Sequence, residues 1–207
     1  MSAENILKVP FSKPSISEEE EKAVIEVIRS GWLTTGKVTL EFEKEFSDFM
    51  NSTLDDEKQK VISLAVNSNT SGMILAMNAC GVKEGTAIIT TPYTFVSTAA
   101  CAKHLGADVI FCDVEKDSYN IDADKIEQIL IENEKTHKAD IKAIVPVHIA
   151  GNVCNMKKIM MLAKKYNLKV IEDAAHSFPS KTDMGYAGTI GDIGVFSFYA
   201  TKPLTTG

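Results

Sequence analysis

Cysteine is scarce and unpaired in this 207-residue chain: Cys80, Cys101, Cys112 and Cys154 form no Cys-x-x-Cys pair and no ligand-spaced set with the four histidines. Neither a disulfide framework nor a zinc site follows from that spacing, and the thiols are expected to be reduced and buried, as small apolar side chains are. Positive charge is also in deficit. With 22 Lys and Arg against 28 Asp and Glu the formal net charge is −6, and the lack of a basic stripe argues against nucleic acid as a partner, since nothing would displace counterions from a phosphate backbone. No apolar run approaches the roughly 18 residues of a membrane span and no basic-then-apolar leader opens the chain, so no membrane is expected as a partner and a cytoplasmic location is. A Gly-x-Gly-x-x-Gly turn is missing as well. "NSNTSG" at 67–72 lacks it, while Gly188, Gly191 and Gly194 have another spacing and precede a strand, which sets a nicotinamide-binding Rossmann unit aside.

What is present is a globular α/β pattern. Hydrophobic residues make up 44% of the chain, enough for a core in which a protein of this size buries about 70% of its unfolded surface. Ser17 and Glu20 have the spacing of a capping box, and Ala23, Val24, Val27 and Ile28 then mark one helical face that ends at Gly31. Phe42, Phe46 and Phe49 predict a second amphipathic helix. From position 60 short β-branched runs alternate with helical segments: "VISLAV", "TAIIT", "ADVIFCDV", "IKAIVPVHI", "LKVIEDAA" and "VFSFYA" read as strands. Nearly continuous apolar strands are buried on both faces, which predicts a mostly parallel sheet covered on both sides by helices, a three-layer α/β/α unit. The expected division is a helical segment at 1–58 followed by a ligand-binding domain at 59–207.

In such sheets ligands collect beyond the carboxyl ends of the strands, and four stretches meet that condition. Asn67 to Gly72 forms a strand-to-helix turn rich in hydroxyl and amide groups; free N–H groups and the helix dipole there suit a phosphate, although the same residues serve as ordinary N-caps. "TPYTFVST" puts Tyr93 and Phe95 after a strand, where an aromatic ring either stacks on a planar ligand or packs in the core. "EDAAHS" sets Glu172, Asp173 and His176 at the tip of a buried strand, and acidic groups there need a cation or hydrogen-bond donors. Finally Lys202 emerges after an apolar strand and is followed by Pro203, which prevents continuation of the ladder. A lone lysine is usually a solvated one, but a lysine enclosed at a strand end has its pKa lowered and its amine freed for Schiff-base chemistry.

Taken in order, "SGWLTTGKVTLEFEKEF", "NSNTSGM", "TPYTFVSTA", "IVPVHIAGN", "VIEDAAHS" and "GDIGVFSFYATKPLTTG" resemble the DegT/DnrJ/EryC1/StrS family, the pyridoxal-phosphate-dependent nucleotide-sugar aminotransferases of fold type I. The resemblance implies that pyridoxal 5′-phosphate is the cofactor and that Lys202 holds it as an internal aldimine and shuttles the proton. It implies that Asp173 pairs with the pyridine nitrogen, that Thr70, Ser71 and Ser197 contact the phosphate, that Phe95 lies over the ring, and that His176 contacts the phenolic oxygen or the ring. Trp32 and Thr34 resemble a segment near the nucleotide-sugar entrance.

The reaction implied is reversible transfer of an amine from an amino acid, expected to be glutamate, to a keto-sugar nucleotide, by a homodimer. Dehydratases of the same superfamily replace the lysine with histidine, so Lys202 favours transfer. Family members run to nearly twice this length and add a smaller C-terminal domain, so the chain reads as a shortened or partial form. Two other readings stay open at this point: a non-catalytic scaffold protein, and a relative acting on a cyclitol-type ketone.

Overall fold

A computed structural model describes residues 9–54 and 60–206; part of the polar run after the second helix, and Gly207, lie outside the described residues. The first helix, α1 (Glu18–Ser30), begins and ends on its own local chemistry. Ser17 caps it with the reciprocal Glu20 contact, and Gly31, at φ 73°, stops it in the left-handed conformation that glycine adopts without strain. None of its residues is buried, and the apolar face predicted from the sequence stays open, Val24 and Ile28 each remaining 59% exposed.

The second helix, α2 (Lys37–Asn51), is attached through aromatic rings. Phe46 packs against Phe196 and Phe198 with centroids 5.2 and 5.5 Å away, Phe42 meets Phe198 edge-on, and Phe49 stacks on Tyr186 at 5.0 Å.

Residues 61–66, "VISLAV", were expected to form a strand, and among the described residues they join no ladder. Their alternate N–H groups are taken by side chains of α2 instead. Val61 donates to Asn51 Oδ1 at 2.8 Å, Ser63 to Ser47 Oγ at 2.8 Å and Ala65 to Glu43 Oε1 at 2.7 Å. Positions 43, 47 and 51 are each one helical turn apart, about 6 Å, close to the ~6.7 Å between alternate residues of an extended chain, so one edge of the segment is satisfied without a neighbouring strand.

Downstream the chain alternates as predicted through α3 (Asn69–Ala79), β1 (Thr86–Thr90), α4 (Ser97–His104), β2 (Asp108–Phe111), α5 (Ala123–Thr136), β3 (Asp140–Val145), α6 (Met156–Tyr166) and β4 (Lys169–Asp173). A small hairpin, β5 (Lys181–Thr182) and β6 (Gly185–Tyr186), precedes β7 (Ile193–Val195). The main sheet has five strands in the order β2-β1-β3-β4-β7, all parallel. Side chains of α5 and α6 (Ile126, Leu130, Ile159, Leu162) cover one face with Ile89, Ile144 and Val170. On the other face, Met73 and Met77 of α3 and Cys101 and Ala102 of α4 meet Ile88, Val145 and Ile171. Neighbouring residues of β1 and β3 therefore feed opposite cores, and each fully buried Ile contributes about 2 kcal/mol. This is the three-layer α/β/α arrangement anticipated; β2, at one edge, is only partly covered.

The strand predicted at 195–200 is a second difference. β7 stops at Val195, because Phe196 and Phe198 turn to the rings of α2 and Phe178. Aromatic packing mimicked a strand's alternation. Gly72 matters for the same junction: a Cβ there would come within 2.7 Å of Val195 Cγ1, so only glycine lets α3 lie this close to β7.

Candidate active site

The tip of β4 sets the electrostatics. Glu172 is fully buried and completely partnered. Its Oε2 lies 2.8 Å from His148 Nε2 and accepts from the Gly188 N–H at 2.9 Å, while Oε1 accepts from the N–H groups of Ile190 and Gly191 at 2.8 and 2.6 Å. His148 Nδ1 accepts from the Cys154 N–H, so Nε2 carries the hydrogen that faces the carboxylate. The partner that the acidic tip requires is thus, for Glu172, an imidazole and three amides of the loop leading into β7.

Asp173 points elsewhere. Its backbone is pinned by N–H donation to Pro146 O at 2.9 Å and by the neighbouring Ala174 N–H on Val195 O at 2.9 Å. Its carboxylate, in a residue 3% exposed, accepts from the Thr98 hydroxyl at 2.7 Å on Oδ2 and from the Ala175 N–H at 3.2 Å on Oδ1. Two hydrogen bonds leave about half of its acceptor capacity open.

Lys202 and His176 share that surrounding. Lys202 sits in a turn closed by its N–H on Tyr199 O at 2.8 Å, and its amine has no hydrogen bond or ion pair among the described residues. Burial depresses the lysine pKa below the ordinary value, and the negative charge of Asp173 pulls it part of the way back. Burial likewise lowers His176, the charge of Lys202 lowers it further, and Asp173 opposes both. Lys202, from a separate turn, therefore feels the charge of Asp173, and His176 feels that of both. Nδ1 of His176 accepts the N–H of Ala150 at 3.4 Å, from a turn in which Ala150 and Gly151 both have positive φ (52° and 84°).

The amino end of α3 lies against the segment that leaves β7. Ser68 caps it, and among the described residues the N–H groups of Asn69 and Thr70 have no intramolecular acceptor. The Asn69 amide donates to the carbonyls of Val195 and Phe196 at 3.1 and 3.3 Å, tying this helix end, with Thr70 and Ser71, to the chain that continues into Ser197. Ser197 is part-buried, its hydroxyl oxygen accepting the Tyr199 N–H at 3.4 Å. Phe95 stands at the start of α4 with 73% of its surface exposed, so it is not core.

A cleft of about 410 Å³ opens beside Lys202 and His176, lined also by Phe11, Ser12, Ala150, Thr201 and Pro203. A hollow of about 380 Å³ at the amino ends of the strands, beside the first residues of β3, is lined by residues that include His137 and Tyr166 and is remote from the strand carboxyl ends.

Of the predicted residues, His176 and Lys202 line the cleft, and Thr70, Ser71, Phe95, Asp173, Ser197, Trp32 and Thr34 do not. Trp32 donates its indole N–H to Thr35 O at 3.0 Å within its own turn. Sequence reasoning in turn passed over Asn69, Thr98, His148 and Ala150. Thr98 and His148 both lie within phrases that carried the resemblance, "TPYTFVSTA" and "IVPVHIAGN", which was the available signal. The cysteines are free, and burial pushes the thiols of Cys112 and Cys154 up to about 12. Among the described residues, no helix is long and apolar enough to cross a membrane.

The sequence profile of the DegT/DnrJ/EryC1/StrS aminotransferase family matches residues 14–207. The Bacillus subtilis spore coat polysaccharide biosynthesis protein SpsC is 40% identical over 199 residues, 96% of this chain and 47% of its own. GDP-perosamine synthase of Escherichia coli O157:H7 is 34% identical over 200 residues, 96% of this chain and 51% of that one. Among solved structures, the PLP form of Spr1654 from Streptococcus pneumoniae superposes with a TM-score of 0.82 at 28% identity, over 97% of this chain and 51% of that one. The chain spans about half the length of the curated relatives it matches.

Proposed function

Because the chain belongs to the DegT/DnrJ/EryC1/StrS aminotransferase family, we propose that it carries the pyridoxal-phosphate-binding residues of an aminotransferase that moves an amino group from glutamate to a nucleotide-linked keto-sugar. The observation that carries this reading is that Asp173 and Lys202 lie near enough for the charge of one to act on the other. A buried carboxylate with unused lone pairs and an amine without a partner, its pKa lowered by burial, stand in one electrostatic environment, and the chemistry of that pair fits the cofactor. The carboxylate would accept the N–H of a protonated pyridine ring, and the neutral fraction of the amine would bind the aldehyde carbon covalently.

When bound, the cofactor supplies an electron sink for a carbanion next to the transferred nitrogen. The rest falls to the chain's own groups. Asp173 would hold a proton at the ring nitrogen. Lys202 Nζ would move a proton at the substrate carbon. Thr70, Ser71 and Ser197, with the free N–H groups at the start of α3, hold the phosphate. His176 would contact the phenolic oxygen or the ring, and Phe95 would lie over the ring. Trp32 and Thr34 keep a weaker assignment at the sugar-nucleotide entrance. The substrate class rests on relatives named for GDP-perosamine and for coat polysaccharide synthesis. A cytoplasmic homodimer belongs to the same reading, as does a boundary between positions 58 and 59, which lies outside the described residues; the uncovered apolar face of α1 is what a partner would bury.

The test is direct. Mixed with pyridoxal phosphate, the chain should develop a visible band that borohydride fixes as one adduct on the peptide containing Lys202, and Lys202→Ala should abolish both. An unchanged reducible adduct in that variant would remove Lys202 from its role.

A further inference from the structure

One buried group in contact with Asp173 has no part in the reading above. Thr98 is completely buried near the start of α4, and its hydroxyl lies 2.7 Å from Asp173 Oδ2, 75 positions away in sequence. Three acceptors compete for its single hydrogen: Asp173, the Phe95 carbonyl at 3.2 Å and the Thr94 hydroxyl at 2.8 Å. Were the hydrogen given to either of the others, an oxygen lone pair would face an anionic oxygen at 2.7 Å. The hydrogen therefore goes to Asp173, and Thr94 donates to Thr98. This orders a relay, Thr94 to Thr98 to Asp173.

The relay has a consequence for orientation. Rotation of an aspartate carboxylate about its last torsion is broad and two-fold, and the local bond from the Ala175 N–H, at 3.2 Å, is the longer of its two. The short bond from a different layer of the fold, made by a β-branched side chain with a stiff first torsion, is what fixes the carboxylate plane. The same turn carries Phe95, so the aromatic side chain and the donor that orients the carboxylate are built as one unit.

We propose that Thr98, aimed by Thr94, is a positioning residue for the cofactor ring: it sets the plane of the Asp173 carboxylate so that the unused lone pairs meet the ring nitrogen. This rests on the pyridoxal-phosphate reading above.

The experiment measures binding of pyridoxal phosphate, and of its analogue with carbon in place of the ring nitrogen, to the 207-residue chain and to its Thr98→Val, Thr98→Ser and Thr94→Val variants. Thr98→Val should weaken pyridoxal phosphate about tenfold, the scale of one hydrogen bond to a charged group, and leave the analogue's affinity unchanged. Thr98→Ser should restore the affinity, and Thr94→Val, which keeps the buried hydroxyl and is the milder change should Thr98→Val not fold, should show a smaller loss with the same selectivity for the ring nitrogen. Equal weakening of both ligands, or none, overturns the positioning role. Failure of the unaltered chain to bind pyridoxal phosphate at all overturns the functional reading itself, and the role of Thr98 with it.

Discussion

The side-chain amide of Asn69 donates to the carbonyl of Val195 at 3.1 Å across 126 positions of sequence. A second bond, to Phe196 O at 3.3 Å, makes this side chain a clamp between the amino end of α3 and the segment that delivers Ser197 and Lys202. The two halves of the proposed phosphate site are thereby held together from one residue.

Asn69→Ala removes both bonds and leaves two part-buried carbonyls without that donor. A loss of about 1–2 kcal/mol in stability is expected, read from the urea midpoint at unchanged slope. Phosphate-bearing ligands should also bind more weakly than to the unaltered chain. Retention of full affinity in a folded Asn69→Ala protein would show that the clamp does not shape the phosphate site.

Glu172 should be more sensitive. Its two oxygens accept four hydrogen bonds while fully buried. A glutamine in its place has one acceptor oxygen, and its amide N–H groups would face either the pair His148 and Gly188 or the pair Ile190 and Gly191, all donors. Glu172→Gln should therefore cost about 2–4 kcal/mol. A denaturation midpoint within error of the parent would contradict the assignment of hydrogen positions in this cluster.

Lys202, His176 and Asp173 give predictions whose signs are fixed by their charges. Followed by NMR titration, Lys202→Met should raise the His176 pKa, since a positive neighbour is lost. Asp173→Asn should lower the pKa values of both His176 and Lys202, since the charge that opposes burial is removed. Opposite directions in either variant would mean that the three groups do not share a site.

The stability consequence carries its own sign. The unfolded imidazole, with its ordinary value of 6.5, takes up a proton that the folded one resists. Stability should therefore fall as pH drops from about 6.5 through the lower folded value, and His176→Gln should flatten that part of the profile.

Where a structural decision was local, it was legible in the residues. Ser17, Glu20 and Gly31 fixed both ends of α1 through bonds that span a few positions, and the apolar runs of β1, β3 and β4 announced a sheet covered on both faces. Asp173 and Lys202 were singled out by the phrases that resemble the family, the carboxylate also because an acidic group at a buried strand tip is costly without a partner. Spacing alone misread 61–66, whose alternation is that of a strand although its hydrogen-bond partners are side chains of α2. It misread 196–200 too, where alternating phenylalanines serve an aromatic cluster and not a ladder.

The sequence by itself determined most of the elements and the covering of the sheet on both faces, because propensity, capping and burial act over short stretches. Only the tertiary structure decided that Glu172 spends its charge on His148 and the loop before β7 while Asp173 keeps free lone pairs, that Thr98 reaches Asp173, and that Asn69 holds Val195. Those choices depend on hydrogen-bond geometry between residues tens of positions apart, which becomes defined only when the parallel strands and their covering helices close on one another.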